Sequence, residues 1–157
     1  MKYSVTVVLY YLKSVRRKAA MDYKDYGKKP YMLNIEDATN QNDNFRTTIW
    51  TGDKLQLTVM SIQPNDEAGL EVHKYSDQFI RIEEGQGICQ MGSTKDNLNF
   101  ERAITKNDAV VVPANMWHNI INTGGKSMKL YTIYSSPEHK QGTIHRLRED
   151  ATRNIDD

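Results

Sequence analysis

From residue 45 onward, apolar and polar positions alternate in short runs separated by turn residues. Residues 45–50 form the first predicted strand, closed by Thr51-Gly52-Asp53. Across 55–62 the alternation places Leu55, Leu57 and Val59 on one face and Gln56, Thr58 and Met60 on the other. Pro64-Asn65-Asp66 breaks that pattern. Further strands are predicted at 79–82, 88–91, 99–104, 109–112, 118–122 and 129–134. Glu84-Gly85-Gln86-Gly87, Lys106-Asn107-Asp108 and Thr123-Gly124-Gly125 supply turns between them, and Pro137 ends the series. The charged stretch 146–153 is predicted as a short helix. Many short strands joined by Gly, Asn and Asp turns predict an all-β sandwich or barrel. Closing such a sheet leaves a mouth that holds one small ligand.

The segment before the strands differs. Residues 22–44 are polar and punctuated by Gly27 and Pro30, with an apolar patch at 31–35, which predicts an arm carrying one short strand. Residues 3–12 are an apolar run too short to cross a bilayer, where roughly 20 residues are needed. Lys13, Arg16, Arg17 and Lys18 then stand where an export signal carries small residues for cleavage. The expected organisation is an extension over 1–20, an arm over 21–44, a barrel over 45–136 and a tail over 137–157. A peripheral strand or an unusual export signal are the competing readings of the extension.

Charge and composition narrow the partners. The 21 basic and 20 acidic residues nearly cancel, and no stripe of basic and aromatic residues marks a nucleic-acid surface. The single cysteine, Cys89, excludes an internal disulfide and fits a reducing, cytoplasmic setting with no membrane partner. Within an apolar strand it reads as core. There is no Gly-rich phosphate loop, no cysteine cluster and no nucleophile elbow.

Four histidines carry the candidate chemistry: His73, His118, His139 and His145. Period-two alternation groups Gln78 with Ile80 and Ile82, and His118 with Ile120 and Asn122. His139 and His145 follow Pro137 in the tail. They are expected on the surface, although a tail crossing the mouth would bring one of them in. Trp117 is expected on the face opposite His118, packed between sheet and arm. Arg81 is expected in a surface or subunit contact, and Asp77 in a solvated turn.

The stretches 73–85 and 113–122 together resemble the two motifs of the cupin superfamily. His73 matches the first histidine of the first motif and Gly85 its closing glycine, while Tyr75 stands at the second histidine and Gln78 at the glutamate. In the second motif Pro113, His118 and Asn122 match, and Asn115 replaces a glycine at a left-handed turn position, where asparagine is the usual substitute. The resemblance implies an all-β, cupin-type antiparallel barrel, also called a double-stranded β-helix or jelly roll. It further implies a divalent metal (zinc, iron, manganese or nickel) held by His73, Gln78 and His118, with Tyr75 near the substrate. Glutamine in place of glutamate removes a charge from that ligand set, so a degenerate, metal-free pocket stays open.

The chain is similar to small stand-alone cupins likened to the metal domain of mannose-6-phosphate isomerases. That similarity implies a small polar ligand such as a sugar or organic acid, with isomerase-like or dioxygenase-like chemistry. A non-enzymatic binding module and a subunit with a vestigial pocket are the alternatives. A homodimer through 31–35 and 45–50 is expected, because exposed strand edges need cover. The boundary at Met21 generates one test. Protein beginning at Met21 should melt at a temperature close to that of the full chain, and a large drop by differential scanning calorimetry refutes the assignment of 1–20 as an extension.

Overall fold

The computed structural model describes residues 20–153; the expected extension over 1–20 lies outside the described residues except for Ala20. Among the described residues, nine strands and two short helices follow one another in the order α1 (Ile35–Gln41), β1 (Arg46–Thr51), β2 (Gln56–Ile62), β3 (Asp77–Glu84), β4 (Gln86–Gly92), β5 (Phe100–Thr105), β6 (Ala109–Val112), β7 (Trp117–Asn122), β8 (Met128–Ser135), β9 (Ile144–His145) and α2 (Arg148–Arg153). The strands form a six-stranded sheet in the order β6-β3-β8-β2-β1-β9 and a three-stranded sheet in the order β5-β4-β7. All the pairings are antiparallel. Isolated bridges from Glu67 to Ile121 and from Glu71 to His118 add the segment before His73 to the free edge of β7.

Between the sheets lies a core that includes Met60, Ile62, Ile80, Ile82, Cys89, Ile120 and Leu130. Burial pushes the Cys89 thiol up to about 11, so it sits in that core as an inert apolar group. The alternation in β2 holds, but its more polar face is the one turned inward. Met60 and Ile62 join the core while Gln56 and Thr58, fully buried, continue that face toward the mouth. Val59 on the opposite face is buried as well.

Turn chemistry follows the sequence. Asn65, Asn107 and Asn115 take left-handed φ of 62°, 75° and 64°, and Gly85 takes 95° between β3 and β4. Asn115 therefore does occupy the conformation that its place in the second motif requires.

The arm corrects one expectation. Residues 31–34 form no strand, and α1 follows them. The helix starts because Asn34 Oδ1 accepts from Asp37 N at 3.0 Å, and Glu36 and Asp37 fill its first turn. The cap signal is local, whereas a strand at 31–35 needs a partner edge from elsewhere in the chain. At the other end α2 covers the later part of the expected helix, with Asp150 Oδ2 accepting from Arg146 N and Leu147 N. The outer edge of β1, expected as a dimer contact, carries β9 through Arg46–His145 and Thr47–Ile144. Asp25 closes the far side: its Oδ1 accepts from Gly27 N and Thr51 N, and its Oδ2 from Thr51 Oγ1 and Gly142 N. Arm, β1 and tail are thereby joined through one carboxylate.

Gly87 makes a tight contact between strands. A Cβ there would stand 2.0 Å from Ile121 O and 2.6 Å from Met128 Cε. Backbone cannot yield as a flexible side chain does, so Gly87→Ala should cost about 3 kcal/mol, measured as a lower denaturation midpoint in urea. An unchanged midpoint would show that β4 and β7 separate without penalty.

Candidate functional site

Segment 67–71 and β7 run antiparallel, so Glu71 and His118 face one another and exchange backbone hydrogen bonds of 3.0 and 2.9 Å. His73 lies two residues beyond Glu71, on the same side of extended backbone, and its carbonyl accepts from Asn115 N at 2.7 Å. One donor atom from each of Glu71, His73 and His118 falls within 4.8 Å of the others. The imidazoles of His73 and His118 are 5.3 Å apart between centroids. His118 Nδ1 is 3.0 Å from Met116 O; donating there leaves Nε2 as the lone-pair nitrogen. His73 Nε2 lies 3.0 Å from Glu71 Oε2 but out of line for a hydrogen bond, so this buried nitrogen has no aligned partner.

Gln78 reaches the same place from β3. It is buried, its Nε2 donates to Thr132 Oγ1 at 2.8 Å, and its Oε1 is buried without a partner. Together with Glu71, His118, Arg46 and Tyr134 it lines a cavity of about 20 Å³ inside the barrel. Above it opens a groove of about 1040 Å³, and Arg46 and Glu71 line both spaces.

Comparison with known proteins agrees with this architecture. The cupin domain family matches residues 58–134. An uncharacterized Bacillus subtilis (strain 168) protein, YrkC, is 52% identical over 128 residues, covering 82% of this chain and 69% of its own length. The chain is a cupin. An uncharacterized protein of Acanthamoeba polyphaga mimivirus is 38% identical over 115 residues, covering 73% of this chain and 70% of its own. The crystal structure of BH2720 from Bacillus halodurans superposes with a TM-score of 0.82 at 47% identity, over 83% of this chain and 98% of that one.

The cupin's tail is the main departure from expectation. His139 and His145 do not lie free on the surface: His145 is buried, and His139 is half-buried with Nε2 3.3 Å from Tyr134 Oη. The cause is Gln56. Its Oε1 accepts from Glu138 N and His139 N, and its Nε2 donates to His139 O. That buried amide draws the chain across the mouth as soon as Pro137 ends β8. Glu138 then places Oε2 3.3 Å from His73 Nδ1 and also accepts from Ser76 Oγ. Trp117, expected to pack against the arm, instead lines the groove beside the tail.

Tyr75 is 78% exposed and lines neither the cavity nor the groove; the Lys74 ammonium lies 5.2 Å over its ring. Asp77 is exposed and accepts from Ala114 N, and Arg81 pairs at the surface with Asn107. The residue that sequence reasoning missed is Glu71. Its signal was present: it precedes His73 by two in a stretch that reads as extended, which puts both side chains on one face.

Burial opposes ionisation of Glu71, yet the contact with His73 and the charge of Arg46 outweigh it and hold the carboxyl at about 2. For His73, burial lowers the pKa, but Glu71 and Glu138 together raise it above 6.5. His118, buried with less help, is lowered. The signs set a stability window for metal-free protein. Glu71 stabilises the fold above its ordinary 4.5, and that contribution disappears as pH falls toward about 2. His73 stabilises it below 6.5, and that contribution disappears as pH rises through the raised value. Melting temperature should therefore fall on either side of pH 4.5–6.5. In Glu71→Gln the His73 imidazole should titrate lower by NMR, and the alkaline fall should shrink. An unmoved His73 titration would show that Glu71 is not its partner.

Proposed function

We propose that this cupin holds a divalent transition metal through Glu71, His73 and His118, with Gln78 Oε1 as a neutral fourth oxygen. The mouth groove then binds a small polar substrate, a sugar or an organic acid, for isomerase-like or dioxygenase-like chemistry. The observation that carries this reading is the convergence of two imidazoles and a carboxylate within 4.8 Å, beside a buried amide oxygen that has no partner. Imidazole, carboxylate and amide oxygen suit zinc, iron, manganese or nickel. Bonds of about 2.0–2.2 Å put neighbouring donors roughly 3.3–3.6 Å apart, so a small contraction of the cluster suffices.

A bound ion supplies Lewis acidity and a place for a substrate oxygen. The chain's own residues do the rest. Glu138 on His73 Nδ1 and Met116 O on His118 Nδ1 turn both Nε2 atoms toward the common point. Thr132 holds the Gln78 amide. The tail narrows the water access above.

A second reading, a binding module without metal, has its own support. Arg46 and His73 both already neutralise Glu71, so the cluster is electrically satisfied by protein alone. Metal analysis separates the two. Protein dialysed against zinc and then buffer should retain about one equivalent by plasma mass spectrometry. His118→Ala should lose it while keeping its circular dichroism, because that residue serves the site more than the core. Gln78→Leu should weaken zinc binding about tenfold, and Gln78→Glu, which adds an anionic oxygen, should strengthen it. Equal zinc content in wild type and His118→Ala refutes the metal reading.

A further inference from the structure

One charged group at the mouth is buried with a donor to spare. The Arg46 side chain is only 5% exposed, and its Nη2 donates to Glu71 Oε1 at 3.0 Å. Its Nε is buried and has no acceptor. Leaving a donor on a charged group unmatched costs more than leaving a neutral one, so an arriving acceptor would be favoured strongly there. Arg46 lines both the groove and the cavity below, which places it where a ligand from the groove meets the cluster.

The two nearby carboxylates do not fill this position. Glu71 is shared between Arg46 and His73, and Glu138 is turned onto His73 and Ser76, so both nearby carboxylates are engaged. Lys140 adds an ammonium to the groove wall. Burial first, and the charge of Arg46 next, push His139 down to about 3 and lower His145. The His139 ring therefore stays neutral and adds no charge of its own. A sugar hydroxyl could accept from Nε, but a carboxylate accepting from a guanidinium N–H makes a hydrogen bond roughly twice as strong as a neutral acceptor does. The space beneath, about 20 Å³, admits roughly one water-sized group, which limits the ligand's inner end to something small.

We infer that the groove takes a small carboxylic acid whose carboxylate accepts from Arg46 Nε, with its other end toward His73 and His118. This rests on the groove being the ligand site, as proposed above, but not on a metal being bound. The probe is malonate, titrated calorimetrically into chelator-treated protein and then into zinc-loaded protein, with glucose and inorganic phosphate alongside. Malonate should bind saturably in both forms, glucose should not bind, and Arg46→Lys should weaken malonate at least about tenfold, because lysine keeps the charge but loses the Nε–H. Unchanged malonate binding in folded Arg46→Lys overturns the inference, as does tighter binding of phosphate than of malonate, or of glucose alone. Should Arg46→Lys fail to fold, backbone NMR of wild type decides: malonate must shift the amides of Arg46, Glu71 and His145, and shifts confined to other positions overturn it. Malonate binding without zinc uptake supports this inference while removing the metal, and zinc uptake without malonate binding overturns this inference alone.

Discussion

The paired backbone hydrogen bonds between Glu71 and His118 are the constraint on which the site depends. They join a segment outside the regular strands to β7 and so determine how far apart the two side chains stand. His73 follows from Glu71 by extended-chain periodicity, and Asn115, in its left-handed turn, binds the His73 carbonyl to keep that segment straight. The core beneath is apolar, and the polar groups are gathered at one end of it. A barrel separates these tasks well: paired strands carry the stability, and one rim carries the chemistry.

A second layer of order comes from the tail. Gln56 is fully buried on β2, and its amide meets three backbone groups of the tail. Losing those contacts with no replacement inside the barrel would leave an expensive unpaired amide. Glu138 and His139 thus reach the site through backbone anchoring rather than through attraction between side chains. Asp25 fastens the same tail to the arm from the other side.

How much of this was legible in the sequence depends on the range of the forces involved. Strands β1 to β8 were, because alternation and turn residues are local, and β6 even ends where the pattern ends; β9, inside the expected tail, was not. The first motif's His73 and Gly85 and the second's His118 and Asn115 were legible by resemblance, and Asn115 explains itself through its φ of 64°. Helix α1 was missed because the apolar patch at 31–35 outweighed the Asn34 cap in the reading. The positions of His139 and His145 could not be read from their neighbours, since Gln56 lies some eighty residues away. Glu71 was readable but unsupported, because the pairing that gives it meaning is with β7.

Cys89 has a use that follows from its depth. It is 1% exposed in the core of the three-stranded sheet, and the chain has no other thiol. A thiol reagent added to the folded protein can react only when β4 is released from β5 and β7. The rate of labelling is therefore a clock for opening of that sheet, native to the chain and needing no introduced dye, and its dependence on reagent concentration separates how often the sheet opens from how long it stays open.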